Sequence, residues 1–375
     1  MTLVLNDDDV AQVLNMKDCI SVLEDAFRDM GHGAVVNAPR RDSFMVSSRA
    51  DAYYSFKTIE GGLERLGVMA QRINSDLITH PSVGGVTRRV KVPAALGNRY
   101  VGLVFLYSSE TIELLAIITD GHLQRSRVAG VTGVAIKYLS REDSRKAALL
   151  GSGWQAETAA WALASVRPIS TIKIFSPHPE HRRSFADKLA VDLGIEVIPT
   201  ESAKKAVTNA DIVACATNAS TGAVVKGEWV EEGMHLTCIR TNEFDEKAWS
   251  RSDRIVFSSP PGSQGYFNYT TKDSEARLTG ADRQGQESRF EPDRIAGTIA
   301  DTRFQRYRDR VHFLADILAG RGPRRSASSQ ITLMSKNWGL GIEFASVAKL
   351  VYDRARAAGI GKEIPTEWFS QTSHP

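Results

Sequence analysis

The stretch AALLGSGWQAETAAWAL, Ala147 to Leu163, decides the fold. An apolar run stops at three small residues, and a helical pattern follows at once. GSGWQA fits G-x-G-x-x-A. In such a turn Gly151 allows the tight corner, Gly153 lets a pyrophosphate approach the backbone, and Ala156 lets the helix pack against the strand. The helix N-terminus adds N–H groups and partial positive charge. An isolated match is weak evidence, because a plain structural corner reads the same way. Here the motif follows KAALL, opens a helix and leads to a second strand ending at Ser176. That context points to dinucleotide binding by Gly151, Ser152, Gly153, Trp154, Gln155 and Ala156.

Further along, strands and helices alternate: TIKIFS, EHRRSFADKLAVDL, IEVIP, SAKKAVTNA and DIVACAT. Such regularity predicts β-α-β units and a doubly wound parallel sheet. Two more apolar strands, HLTCIRT and RIVFSS, follow. An Asp or Glu at the end of the second strand would hold the 2′-hydroxyl of NAD. This chain has Ser176 there, with His178, His181, Arg182 and Arg183 close by. NADP(H) is favoured, with NAD(H) the alternative; equally, the basic residues could simply solvate the next helix. Thr217 and Asn218, after DIVACAT, are further cofactor contacts or simple strand-end caps.

With 375 residues the chain exceeds one usual domain, so two are expected. A composition of 42% apolar and 24% charged residues suits a globular protein. The net charge of +3 argues against nucleic acid as a partner. No apolar run suits a membrane span, and the acidic N-terminus does not suit a signal peptide. Cys19, Cys215 and Cys238 lack metal-type spacing and read as reduced thiols, so a cytoplasmic enzyme without metal is expected. The first third is mixed: NMKDCISVLEDAFRDMGHG has helical spacing, while AYYSFKTI, LGVMAQRINSDLI and RYVGLVFLYSSETIELLAIIT read as strands of an antiparallel sheet. The polar segment Thr270 to Pro292 reads as a long exposed loop. FASVAKLVYDRARAAGIG reads as an amphipathic closing helix.

Two segments carry a resemblance. DGHLQRSRVAGVTGVAIKYLSREDSRKAALLGSGWQA, from Asp120, and the stretch from Leu314 to Gly361 resemble the ornithine cyclodeaminase/mu-crystallin family. The resemblance implies a substrate and dimerisation domain at 1–127, a Rossmann domain at 128–322, and C-terminal helices at 323–375 returning to the first domain, in a homodimer. It implies chemistry at a carbon–nitrogen bond beside a carboxylate. The options are an imine reductase or amino-acid dehydrogenase, a redox-neutral cyclodeaminase, or a non-catalytic NADPH-binding protein. By resemblance Arg127 anchors the substrate carboxylate, and Arg41, with Arg40 as competitor, is a second anchor. Arg72 stands where the family has an active-site lysine. The loop that usually carries a catalytic Asp is shortened to CIRTNEFDEKAW, and Phe344 replaces another Asp. An arginine is a poor proton shuttle, so Glu60, Asp76 and His122 become the candidate acids. The expected substrate is a small carboxylate-bearing amine or imine.

Overall fold

The strand Lys146–Leu150 is buried over four of its five residues and has parallel partners on both sides, Thr171–Phe175 and Ile212–Cys215. In a computed structural model, which describes residues 1–83, 86–219, 222–259, 302–336 and 339–373, it sits inside an eight-stranded sheet. Strand order runs Glu196–Pro199, Thr171–Phe175, Lys146–Leu150, Ile212–Cys215, His235–Cys238, Thr332–Ser335, Arg254–Phe257 and Val311–Phe313. Every neighbouring pair is parallel. Strand order reverses between Lys146–Leu150 and Ile212–Cys215, and the crevice beyond such a point is where ligands bind. The expected doubly wound sheet is present. The polar segment Thr270 to Pro292 lies outside the described residues.

A second sheet of nine strands is mainly antiparallel. Its centre is Ala52–Leu63, Val68–Thr79, Val101–Ser108 and Leu114–Thr119. Val68–Thr79 alternates strictly between buried and half-buried residues, the signature of a sheet with one face on the core. Its buried face begins apolar, Val68 and Ala70, then turns polar at Arg72, Asn74 and Asp76. The strand therefore runs out of the core into a polar cleft. Ala52–Leu63 runs antiparallel beside it and places Ile59 and Lys57 on the same face.

The helices Met16–Gly31, Asp120–Leu139 and Gly341–Ala358 cover that face and share one apolar core with it. Asp120–Leu139 is buried along most of its length, which its small residues permit, and it connects the two sheets. No helix among the described residues is long and apolar enough to cross a membrane.

The C-terminal segment divides its loyalty. The sequence reading ends the nucleotide-binding part at Gly322 and sends residues 323–375 back to the first domain. Thr332–Ser335 instead enters the middle of the parallel sheet, between His235–Cys238 and Arg254–Phe257. Only after it does the chain return. Gly341–Ala358 packs on the antiparallel sheet, and Lys362–Ile364 pairs with Thr2–Leu5 at its edge. The strand is four residues long and carries no turn signal, so its pattern alone does not distinguish it from a loop.

The closing helix starts where two backbones touch. The Asn37 side-chain oxygen accepts a hydrogen bond from the Gly341 N–H at 2.7 Å. A Cβ on Gly341 would lie 1.9 Å from the Glu60 carbonyl oxygen. Gly341→Ala is therefore expected to destabilise the protein by about 1–3 kcal/mol or more through overpacking. A lower midpoint in urea unfolding with an unchanged slope checks this; a midpoint equal to wild type refutes the close approach.

Candidate active site

The two sheets meet at a cleft of about 920 Å³. One wall is the glycine turn. Gly151 adopts φ +123°, and a Cβ there would stand 2.4 Å from the Ala216 carbonyl oxygen, so only glycine fits. A Cβ on Gly153 would meet nothing within 4 Å, so the backbone faces open space there. Gly153 is also the N-cap of the helix Trp154–Val166, and no side chain caps it. Ser152, Trp154 and Gln155 line the cleft beside the glycines, and the Gln155 Oε1 is buried without a partner. Ala156 lies fully buried beneath the turn, in the packing role expected of it. An open backbone cradle at an uncapped helix N-terminus fits the pyrophosphate of a dinucleotide.

Ser176, at the end of the second strand, lines the same wall, and its buried hydroxyl has no partner. His178 and His181 stand with it, His181 within 3.0 Å of the Ser152 hydroxyl. Arg182 behaves differently from the expectation. It is buried, donates to the Ser176 carbonyl oxygen at 2.5 Å and lies over Phe175, so it braces the strand end and does not line the cleft. Thr217 and Asn218 line the cleft on the far side of the turn.

The opposite wall is cationic. Arg72 and Arg127 are only 5% and 4% exposed, so each must be paired. Arg72 donates twice to one oxygen of Asp120, at 2.8 and 2.7 Å. Arg127 donates to Gln124 at 3.2 and 2.7 Å and to the Glu343 carboxylate. Three of its five N–H groups are thus engaged, leaving two for a ligand. The Phe344 ring lies 4.5 Å from the Arg127 guanidinium and 5.6 Å from that of Arg72. It gives both cations a π face.

Three of the candidate catalytic residues, Glu60, Arg41 and His122, fall outside the cleft. Glu60 pairs across the sheet with Gln71, the neighbour of Arg72, and its side chain accepts a hydrogen bond from Gln71 at 3.1 Å. Strand alternation therefore turns Glu60 away from the cleft face that holds Ile59 and Arg72. Arg41 is exposed, while Arg40 lines the cleft and grips Asp42 with two bonds of 2.7 Å. The competing choice is the one that faces the site. Asp76 lines the cleft, bound by Lys91 at 2.9 Å. His122 pairs with Arg125 outside it, and burial holds its pKa below the usual histidine range.

Sequence reasoning missed Lys336. It follows the strand Thr332–Ser335, is 4% exposed and lines the cleft. Its Nζ donates at 2.8 Å to the Glu343 oxygen that also binds Arg127. Burial brings its pKa down to about 7, opposed by Glu343 and helped by Arg127. Reading ITLMS as a strand would have placed this lysine at the carboxyl edge of the parallel sheet.

The shortened loop is scaffold. Glu243 is fully buried and accepts from the N–H groups of Ile239, Arg240 and Thr217 and from the Thr217 hydroxyl, at 2.7–3.0 Å. Asp245 caps the helix Glu246–Arg251. Asn242 reaches the cleft, with its side-chain N–H on the Ala219 carbonyl and its oxygen unpartnered.

Known proteins share this fold. A Δ1-pyrroline-2-carboxylate reductase of Bacillus cereus is 25% identical over 369 residues, covering 96% of this chain and 99% of that protein. An alanine dehydrogenase of Archaeoglobus fulgidus is 24% identical, covering 97% and 98%. The solved structure of Thermococcus litoralis Δ1-pyrroline-2-carboxylate reductase, in complex with NADH and L-proline, superposes with a TM-score of 0.71 at 24% identity, covering 97% of this chain and all of that one. The profile of the ornithine cyclodeaminase/mu-crystallin family matches residues 1–359, and the chain belongs to that family.

Proposed function

We propose that this chain is an NAD(P)H-dependent oxidoreductase that reduces the C=N bond of a small α-imino acid, or oxidises the matching amino acid. One observation carries the reading: a single cleft sets an open glycine turn opposite two buried guanidiniums. When bound, the nicotinamide nucleotide supplies or accepts the hydride. Gly151, Gly153 and the free helix N-terminus hold its pyrophosphate, and Ser176 sits where its ribose is read. Arg127 takes the substrate carboxylate with its two remaining N–H groups, in the planar fork geometry suited to that anion. Arg72, locked on Asp120, supports the same anion as a fixed charge. The similarity to Δ1-pyrroline-2-carboxylate reductases and an alanine dehydrogenase supports the substrate class.

NADPH is preferred over NADH, because no carboxylate stands at Ser176 and two histidines line the wall beside it. The protein works in the cytoplasm as a homodimer. The antiparallel sheet supports that pairing with Met45, Phe56 and Val101, which share one face and are 37–54% exposed. Redox-neutral cyclodeamination is the second reading, favoured by the Lys336–Glu343 pair, which can pass protons to and from nitrogen.

Adding Δ1-pyrroline-2-carboxylate should consume reduced-nicotinamide absorbance. Ammonia release from a diamino acid without net absorbance change marks cyclodeamination instead, and cofactor binding without turnover of any imine or amine ends both readings. Arg127→Ala should raise KM by about one to two orders of magnitude, the ~1.5–3 kcal/mol of a charge-assisted hydrogen bond, while cofactor affinity by fluorescence titration stays level. An unchanged KM removes Arg127 as anchor. Ser176→Asp should weaken NADPH relative to NADH by about tenfold or more, from ~1–4 kcal/mol of repulsion. Equal losses for both nucleotides would show that the 2′-phosphate lies elsewhere.

A further inference from the structure

We infer that Lys336, held by Glu343, is the acid that protonates the substrate nitrogen. The inference rests on the proposed imine chemistry and deepens it. Three geometric facts carry it. Lys336 lines the cleft and is almost fully buried. Its ammonium and the Arg127 guanidinium bond the same oxygen of Glu343, so the two cations are separated by one atom. In an α-imino acid, the nitrogen lies two bonds from the carboxylate carbon. A substrate whose carboxylate is gripped by Arg127 therefore brings its nitrogen into the neighbourhood of Lys336.

Each of the other acids near the cleft is ion-paired with its own cation, Asp120 with Arg72, Asp42 with Arg40 and Asp76 with Lys91, while Asp120 Oδ1 and Asp76 Oδ2 keep no hydrogen-bond partner. Arg72 itself cannot release a proton near neutrality. Lys336 replaces the missing lysine from a different strand. It approaches from the parallel sheet, whereas Arg72 belongs to the antiparallel one.

The reaction balances. The imine carbon takes a hydride with its electron pair from the dihydronicotinamide, which is oxidised to nicotinamide. The C=N π pair takes the Lys336 proton, giving an amine and a neutral lysine. Lys336 then regains a proton from solvent. In the oxidative direction the neutral lysine accepts the proton.

The groups around Lys336 set the pH dependence. Glu343, from the helix Gly341–Ala358, favours the ammonium; Arg127, from Asp120–Leu139, disfavours it. The Cys19 thiol on Met16–Gly31 is pushed up to about 12 by burial and stays neutral. The Arg72–Asp120 pair faces the site from the antiparallel sheet. Cys238, whose carbonyl accepts from the Lys336 N–H at 2.9 Å, is likewise a thiol raised by burial. With Lys336 near 7, the acid form prevails below that pH. kcat/KM for reduction should fall as pH rises through about 7, and oxidation should show the mirror-image rise.

The test compares wild type, Lys336→Met and Glu343→Gln with NADPH and Δ1-pyrroline-2-carboxylate across pH. Lys336→Met should lose about 10²–10⁴-fold in kcat and lose the limb near neutrality, with cofactor affinity retained and the unfolding midpoint lowered, because the buried Glu343 carboxylate loses one of its two cations. Added ethylamine should restore part of the lost rate. Glu343→Gln should move the limb to lower pH, because the carboxylate that favours the ammonium is gone. Independently of turnover and of any variant, acetylation of Lys336 by acetic anhydride, read by mass spectrometry, should titrate near neutrality while surface lysines titrate well above it. Wild-type turnover with an unchanged rate and limb in Lys336→Met overturns the inference alone, as does a Lys336 acetylation midpoint equal to the surface lysines. Failure of the wild type to reduce any α-imino acid overturns the functional reading, and this inference with it.

Discussion

One carboxylate oxygen holds the site together. Glu343 is fully buried, and its Oε2 accepts from both Arg127 and Lys336. Those three residues come from the helix that connects the two sheets, from the end of a central parallel strand, and from the helix that closes over the antiparallel sheet. The contact therefore fixes the two walls of the cleft against each other. Burying such a cluster is not a cheap route to stability, because desolvation of the ions offsets much of their attraction. Removing one partner is worse still, leaving an uncompensated charge at a cost of about 3–5 kcal/mol. The arrangement makes better sense as positioning than as reinforcement.

The other wall is held by a different buried acid. Glu243 gathers three backbone N–H groups and one hydroxyl around itself, fixing Thr217 and the loop Ile239–Asn242 at the cleft. Burial lifts its pKa while those bonds pull it down. Glu243 and Asp245 act on backbone, one by tying the loop and the other by capping a helix. Both acids of the loop thus build its frame and neither lines the cleft. Phosphate binding on this wall is left to the backbone turn at Gly151 and Gly153, which presents N–H groups rather than side chains.

The parallel sheet was legible because its signals are local. KAALL before GSGWQA, and the alternation that follows, mark strands and helices by composition within a few residues. Arg72 and Arg127 were reachable through resemblance. Glu60 was misplaced for want of register: one step along Ala52–Leu63 separates the cleft face from its reverse, and no local signal states which residue faces inward. The same parity separates Arg40 from Arg41. Lys336 was hidden for another reason. Its environment is made by Arg127 and Glu343, 209 and 7 positions away in the chain, and a lone lysine after a short apolar run has no pattern of its own. Partners that meet only through the tertiary fold leave no periodicity to read.

Charge balance explains how binding and protonation are coupled. Arg72 and Arg127, both over the Phe344 ring, and Lys336 pair with Asp120 and Glu343, three cationic groups against two carboxylates. In the free protein Lys336 is the group among the three cations whose proton is most easily lost: burial above all, with Arg127 adding to it against Glu343, brings it down to about 7. An arriving carboxylate supplies the third negative charge. It favours the ammonium form of Lys336 at the moment when an imine nitrogen needs an acid beside it. The anion that Arg127 selects therefore also charges the proton donor, and a neutral substrate that fits the cleft would meet a less protonated lysine.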